Sequence, residues 1–315
     1  MSEEVEREAE EAERETMEFD VVIVGAGPAG LAAAIRLKQL AAEKDQDLNV
    51  VVLEKGAEVG AHILSGLVMD PIGLDKLIPD WRDQDCPLTT KVSDDKFYYL
   101  SSESGSFGIP TLLNPPLMNN HHCYTGSLGA LCKWLGEQAE ALGVEVYPGI
   151  AVTGAIYGDD GEVKGVITGD MGIGRDGEKK DSYTPGIALT GKYTLLAEGA
   201  RGSLSKEVIS RFELNHESGP QKYGIGLKEL WEIPAEKHKP GLVQHTMGWP
   251  LDDHTGGGTF LYHFGDNLVS VGFVMHLTTP TPICIPSRNS SGPRHIPPSK
   301  SIWRGASASP TAPAR

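Results

Sequence analysis

Gly25-Ala26-Gly27-Pro28-Ala29-Gly30 follows directly on the apolar run Phe19–Val24 and leads into Leu31–Leu40, and this junction limits the fold more than anything else in the chain. A β-branched run, a glycine turn and an alanine- and leucine-rich helix, followed by a second apolar run Asn49–Glu54, read as strand, turn, helix, strand. Each part has a task in such a unit. Gly25 permits the tight turn, Gly27 lets the main chain approach a pyrophosphate, and Gly30 lets the helix pack against the strand. The helix N-terminus faces the anion. Glu54, twenty-four positions after Gly30, ends the second strand where a carboxylate can accept hydrogen bonds from a ribose. The unit predicts a dinucleotide-binding domain.

A second strand signal narrows the cofactor. Tyr193–Ala197 is a buried run ending in Glu198-Gly199 ahead of a helical segment, Leu204–Phe212. A late strand of this kind, returning beside the first β–α–β unit, favours FAD over NAD. Between the two signals, leucines 128, 131, 135 and 142 mark an amphipathic helix over Ser127–Leu142 with Ser127 near its N-cap and Gly143 as its stop. Val144–Tyr147 then reads as a strand, and Ala151–Tyr157 and Glu162–Thr168 read as a hairpin joined through Asp159-Asp160-Gly161. The order is that of an α/β chain: a glutathione-reductase-type, Rossmann-like FAD-binding domain over 19–70 and 120–210. A β-rich substrate domain is inserted at 71–119 and 211–277.

Charge excludes other classes. The 315 residues carry 28 Lys and Arg against 43 Asp and Glu, a net of −15, so nucleic acid is not an expected partner. Residues 1–20 hold ten acids against Arg7 and Arg14, which predicts a solvated acidic arm over 1–18, unlike a signal or transit peptide. No apolar run approaches the roughly 20 residues of a membrane span. Cys86, Cys123, Cys132 and Cys284 are too scattered for a metal clip and read as reduced core thiols. Residues 278–315 contain eight prolines, seven serines and no acid, so no packed structure is expected there.

The chain from about Phe19 to Leu277 resembles the electron transfer flavoprotein–ubiquinone oxidoreductase family. The resemblance rests on the glycine turn, Glu54-Lys55, Gly60-Ala61-His62-Ile63-Leu64-Ser65-Gly66, the segments Trp134–Gly149 and Tyr223–Trp231, Gly248–Leu251 and His254–His263. It implies a relay in which reduced electron transfer flavoprotein gives up electrons, FAD and a 4Fe–4S cluster pass them on, and ubiquinone leaves as quinol. It further implies that Gly60, Ala61, Ser65 and Gly66 run along the flavin and that Ser127 helps hold the diphosphate. Lys55, Val152, Ala197, Glu198 and Gly199 are implied to complete the cofactor contacts, and Gly257 and Gly258 to line the quinone site. From the residues alone, that glycine pair serves a tight turn between strands equally well, and Lys55 reads as an exposed strand-end cation.

The resemblance implies a monotopic protein, on the cytoplasmic face of a bacterial inner membrane or on a mitochondrial inner membrane. Ser104–Cys132 contains no charged residue and includes Phe107–Met118, whose Pro110, Pro115 and Pro116 prevent a spanning helix. Composition alone favours a buried hairpin there; the resemblance implies a loop that dips into one leaflet. The similarity is expected to stop near Leu277, as in a truncated or frame-shifted product, and none of the cysteines carries over onto the cluster ligands. His62, His121, His122, His254 and His263 read as loop and core residues, with no metal site. Two other readings stay open: an FAD-dependent oxidoreductase or monooxygenase of different substrate, and a cofactor-free fragment.

Overall fold

The computed structural model describes residues 14–64, 66–219 and 221–277. In chain order the elements begin with β1 (Thr16–Val24), α1 (Pro28–Glu43), β2 (Val50–Glu54), β3 (Gly66–Met69), α2 (Ile72–Leu77), β4 (Thr90–Lys91) and β5 (Asp94–Leu100). They continue with β6 (Ser106–Ile109), β7 (Tyr124–Ser127), α3 (Leu128–Ala141), β8 (Glu145–Pro148), β9 (Val152–Tyr157), β10 (Val163–Thr168) and β11 (Met171–Ile173). The last are β12 (Lys179–Thr184), β13 (Ala188–Leu196), α4 (Ser203–Arg211), β14 (Gly224–Glu232), β15 (Leu242–Gly248), β16 (Gly257–Phe264) and β17 (Leu268–His276). Two compact units form, one from 14–63 with 129–218 and the other from 64–128 with 219–277. The seams therefore fall seven to nine residues from the 70/71, 119/120 and 210/211 of the sequence reading.

The first unit is built on a six-stranded sheet ordered β8-β2-β1-β13-β10-β9. The first four strands are mutually parallel and the last two antiparallel. Parallel strands are covered on both faces, so they read as unbroken apolar runs; Val21–Val24 and Val50–Leu53 are buried at every position. Their core includes Val22, Val24, Val51, Leu53, Val166, Leu189 and Leu204.

Three boundaries depart from the sequence reading. β1 starts at Thr16, because Thr16–Phe19 pair with Ala188–Gly191, and Arg14 bonds Asp170 at 2.8 Å. The acidic arm thus gives way to strand two residues before 18, and residues 1–13 lie outside the described residues. α1 starts at Pro28, where proline's fixed φ and missing N–H suit a first helical position, so Gly30 lies inside the helix. β13 extends from Ala188 to Leu196, because it pairs with both β1 and β10. The hairpin turn falls as expected: Gly161, at φ +81°, donates its N–H to Gly158 at 2.9 Å.

The second unit has a six-stranded sheet ordered β14-β17-β16-β15-β5-β6 and a three-stranded sheet ordered β3-β7-β4. Only β15 and β5 are parallel within it. Val92, Cys123, Val243 and Tyr262, with Val68 and Phe260 packed against them, join the two sheets. No helix among the described residues is long and apolar enough to cross a membrane.

Candidate functional site

In the first sheet β2 leaves β1 on one side and β13 lies on the other, so the strand order switches between β1 and β13. Open α/β sheets bind ligands outside the carboxyl ends of their strands at such a point. The loops Gly25–Gly27 and Ala197–Gly199 leave the sheet there, tied by the bond from Ala197 N–H to Val24 O at 2.8 Å.

The glycines divide the work as their positions require. Gly25 sits at φ +106°, and a Cβ there would lie 2.5 Å from the Ala197 carbonyl oxygen. A Cβ on Gly30 would collide with the Gly25 carbonyl oxygen and press on Ile23 and Ala197, so this glycine sets the helix against the strands. A Cβ on Gly27 would meet nothing within 4 Å. Gly27 caps α1 with no side-chain hydrogen bond, and no acid stands in the first helical turn. The helix therefore presents an open, electropositive backbone to an anion.

Glu54 closes the turn from the other side. Its Oε2 accepts from Ala26 N–H at 3.0 Å and its Oε1 from Gly56 N–H at 2.7 Å. Each carboxylate oxygen keeps a lone pair for a further donor such as a ribose hydroxyl. The main chain after β2 is fixed by Gly149 N–H to Gly56 O at 2.7 Å and Ile150 N–H to Glu54 O at 2.9 Å. Val152 follows in β9, half-buried against the core. Lys55 and Ala61 are exposed.

Other residues singled out in the sequence stand differently. Gly60 packs backbone to backbone against Gly129 in α3, so much that a Cβ on it would collide with the Gly129 carbonyl oxygen. Ser127 is the last residue of β7, directly before α3, and pairs with Gly66 of β3, both in the second unit. Glu198 commits its carboxylate to the start of α4, accepting from Ser205 N–H at 2.6 Å, Ser205 Oγ at 2.7 Å and Leu204 N–H at 3.3 Å. Gly199, exposed at φ +78°, opens the turn that follows. Ser65 lies outside the described residues.

In the second unit Gly257 and Gly258 begin β16. A Cβ on either would collide with a neighbouring strand's carbonyl oxygen, Val274 and Thr246 respectively. Beyond them the β15–β16 ladder is replaced by Thr246 Oγ1, which accepts from Thr259 N–H at 3.1 Å and bonds Thr259 Oγ1 at 2.6 Å. The apolar segment after β6 is not a buried hairpin: Leu112 is 94% exposed, Leu113 71% and Leu117 99%. Prolines 110 and 115 precede two single helical turns that hold these leucines outward.

Sequence reasoning missed a polar group on β5, β15 and β16, made of buried Asp95 and Tyr262 with half-buried His245. Its signal was a lone histidine in Leu242–Gly248 and a doubled aspartate at 94–95, neither distinctive by itself. Cys86, Cys123 and Cys132 are buried and unpaired, and burial pushes the Cys132 thiol up to about 12, the Glu54 charge adding to it. His122 bonds Asp70 at 3.2 Å, and His263 accepts from Lys239 N–H at 3.1 Å. Among the described residues no three His, Cys, Asp or Glu side chains converge as metal ligands.

This fold and glycine turn define a mixed α/β chain with a Rossmann-like unit. Residues 23–76 match the family model for an NAD(P)-binding Rossmann-like domain. The fold is shared with a geranylgeranyl bacteriochlorophyll reductase-like protein of Thermoplasma acidophilum (TM-score 0.54, 14% identity, 82% of this chain and 57% of that one). It is shared also with a flavoprotein/dehydrogenase of Cytophaga hutchinsonii (TM-score 0.52, 19% identity, 82% and 56%). Residues 223–309 match the model described as ETF-QO, ubiquinone-binding. The chain is 51% identical over 294 residues to electron transfer flavoprotein-ubiquinone oxidoreductase of Pseudomonas aeruginosa, covering 93% of this chain and 53% of that one. It is 51% identical over 287 residues to the mitochondrial protein of that name from Rattus norvegicus, covering 90% and 46%. The sequence is therefore a relative of the electron transfer flavoprotein-ubiquinone oxidoreductases, spanning about half the length of those it matches. Similarity continues past Leu277, where the sequence reading ends it: residues 1–277 are about 88% of the chain (277/315), less than the 93% matched, and the ubiquinone-binding match reaches residue 309.

Proposed function

We propose that the first unit binds FAD across the carboxyl ends of β1 and β13, and that the chain is the flavin- and quinone-binding part of an enzyme passing electrons from reduced electron transfer flavoprotein to ubiquinone. The observation that carries the flavin reading is the open backbone at Gly27, set at the N-terminus of α1 between a turn that needs Gly25 and a packing contact that needs Gly30. The diphosphate rests on the main chain of Ala26 to Gly30, and Glu54, already fixed by two backbone amides, takes the adenosine ribose. Ala197 and Gly199 border the same opening by main chain; the Glu198 side chain serves α4 instead.

The bound flavin supplies the capacity to accept electrons and pass them to a quinone. The protein positions it and excludes water. The described residues offer no ligand set for a 4Fe–4S cluster, and no step is assigned to one. The ubiquinone-binding match over 223–309 supports quinone as the acceptor, with the main chain of Gly257 and Gly258 at its site. The outward leucines 112, 113 and 117, with Phe107, support a membrane surface as the place from which the quinone enters. The reading is tested by loading the purified chain with FAD and supplying reduced electron transfer flavoprotein and ubiquinone-1. Quinol formation supports it; NADPH oxidation without quinol points to the monooxygenase alternative.

A further inference from the structure

The second unit holds a buried polar group that the flavin site does not use. On the covered face of its six-stranded sheet, Asp95 of β5, Val243 of β15, Tyr262 of β16 and Ser270 of β17 stand in one register row. His245, two residues on along β15, meets the Tyr262 hydroxyl through Nε2 at 2.8 Å. Asp95 accepts from Asn120 N–H at 2.9 Å and from its side-chain amide at 3.1 Å, and that amide also donates to Met118 O at 3.3 Å. Met118 ends the outward apolar segment, so the buried group is tied to the root of the loop that carries Leu117.

Polar side chains in such a place cost stability unless they close their hydrogen bonds. This set does not close them: the hydroxyls of Ser270 in the same row and of Thr125 in the covering sheet are buried without partners. Val68, Val92, Val243 and Phe260 surround the pair with apolar atoms. Burial pushes the Tyr262 hydroxyl up, the Asp95 charge adding to it, so the O–H keeps its proton at neutral pH. Burial also holds His245 below its usual range, Asp95 opposing, so the imidazole stands neutral and can both accept and donate. Cys123 is a further titratable group beside them, its thiol raised by burial first and then by Asp70 and Asp95.

Reducing a quinone to a quinol takes two electrons and two protons, and β15, β16 and β17 all lie within the residues matched to the ubiquinone-binding model. We propose that Tyr262 hands protons to the quinone oxygens in the reaction proposed above, with His245 and Asp95 as its positioning residues. In each transfer the Tyr262 O–H bond breaks as an O–H bond forms on the quinone oxygen. The electrons come from reduced electron transfer flavoprotein by way of the flavin. His245 takes up a proton from water, the imidazolium so formed passes its Nε2 proton to the phenolate oxygen, and exchange with water resets the ring before the second transfer. Asp95 stabilises the imidazolium whenever it forms. Two such transfers, with two electrons, yield one quinol.

The inference rests on the quinone reading, so its test uses two arms, applied to the full chain and to Tyr262→Phe and His245→Gln. In the first, FAD-loaded chain is reduced and its reoxidation by ubiquinone-1 is timed in water and in deuterium oxide. The expected result is a rate slowed about a hundredfold in Tyr262→Phe, as for loss of a general acid, with the solvent isotope effect gone and flavin content unchanged. In the second, exchange of the Tyr262 hydroxyl proton with water is followed by NMR without flavin, and it slows about tenfold or more in His245→Gln when the imidazole is its route out. A Tyr262→Phe chain that keeps rate and isotope effect, or a Tyr262 hydroxyl that exchanges equally fast in His245→Gln, overturns the proposal. A chain that takes up no flavin overturns the flavin reading instead, and the exchange arm still decides whether the pair conducts protons.

Discussion

Valine in place of Gly27 and valine in place of Gly30 are expected to fail in different ways. At Gly30 the new side chain meets the Gly25 carbonyl, so the turn and α1 cannot both keep their positions and the chain melts at a lower temperature. At Gly27 the Cβ points into open space and φ is −82°, which any residue adopts, so the fold tolerates valine while its bulk stands where the phosphates lie. Thermal melting and flavin uptake, measured on both, separate the two losses. Glu198→Ala gives the reverse pattern: loss of the α4 cap costs about 1 kcal/mol while FAD uptake stays as it was. The turn at Gly25 and the packing at Gly30 were legible in the sequence because strand, turn and helix constrain each other within thirty-six residues, 19–54. The role of Glu198 was not, because a cap depends on where α4 turns back, which no local pattern announces.

At the scale of elements, β16 and β15 each carry a histidine that burial makes sensitive to acid. Burial, with His238 and Lys239 nearby, holds His263 down at about 4, so it is neutral in the fold and charged in the unfolded chain between that value and its ordinary 6.5. The unfolded state binds the extra proton, so stability is complete above 6.5 and falls as the pH drops from there toward about 4. Denaturant midpoints across that window are expected to decline in the native chain and to decline less in His263→Gln, where His245 still contributes. The segment after β6 makes a different prediction. Each leucine that passes fully into a bilayer gains about 2 kcal/mol, so Leu112→Ser with Leu117→Ser abolishes sedimentation with phosphatidylcholine vesicles while leaving the melting temperature unchanged. Composition pointed to a buried hairpin because apolar runs usually pack. Pro110 and Pro115 instead end the strand pairing and turn the leucines outward, an effect set by backbone and not by hydropathy.

For the molecule as a whole, the alternation of two units along the chain could be read from the sequence, since a parallel-sheet pattern and a β-rich pattern interrupt each other twice. The seams could not, because β3, β7 and β4 are short strands that pair among themselves, a pairing that leaves no periodic trace. That pairing takes Gly66 and Ser127 into the second unit, whereas Gly25–Gly30, Glu54 and the turn after β13 belong to the first and are the contacts proposed for the cofactor there. The account therefore stands on this one unit. Its most direct test is titration of the purified, flavin-free chain with FAD, followed by flavin fluorescence, beside FMN and the Gly27→Val chain. The account predicts saturation at one FAD per chain, little binding of FMN, which lacks the adenosine that Glu54 holds, and loss of FAD binding in Gly27→Val. Equal binding of FAD by Gly27→Val, or none by the native chain, would contradict it.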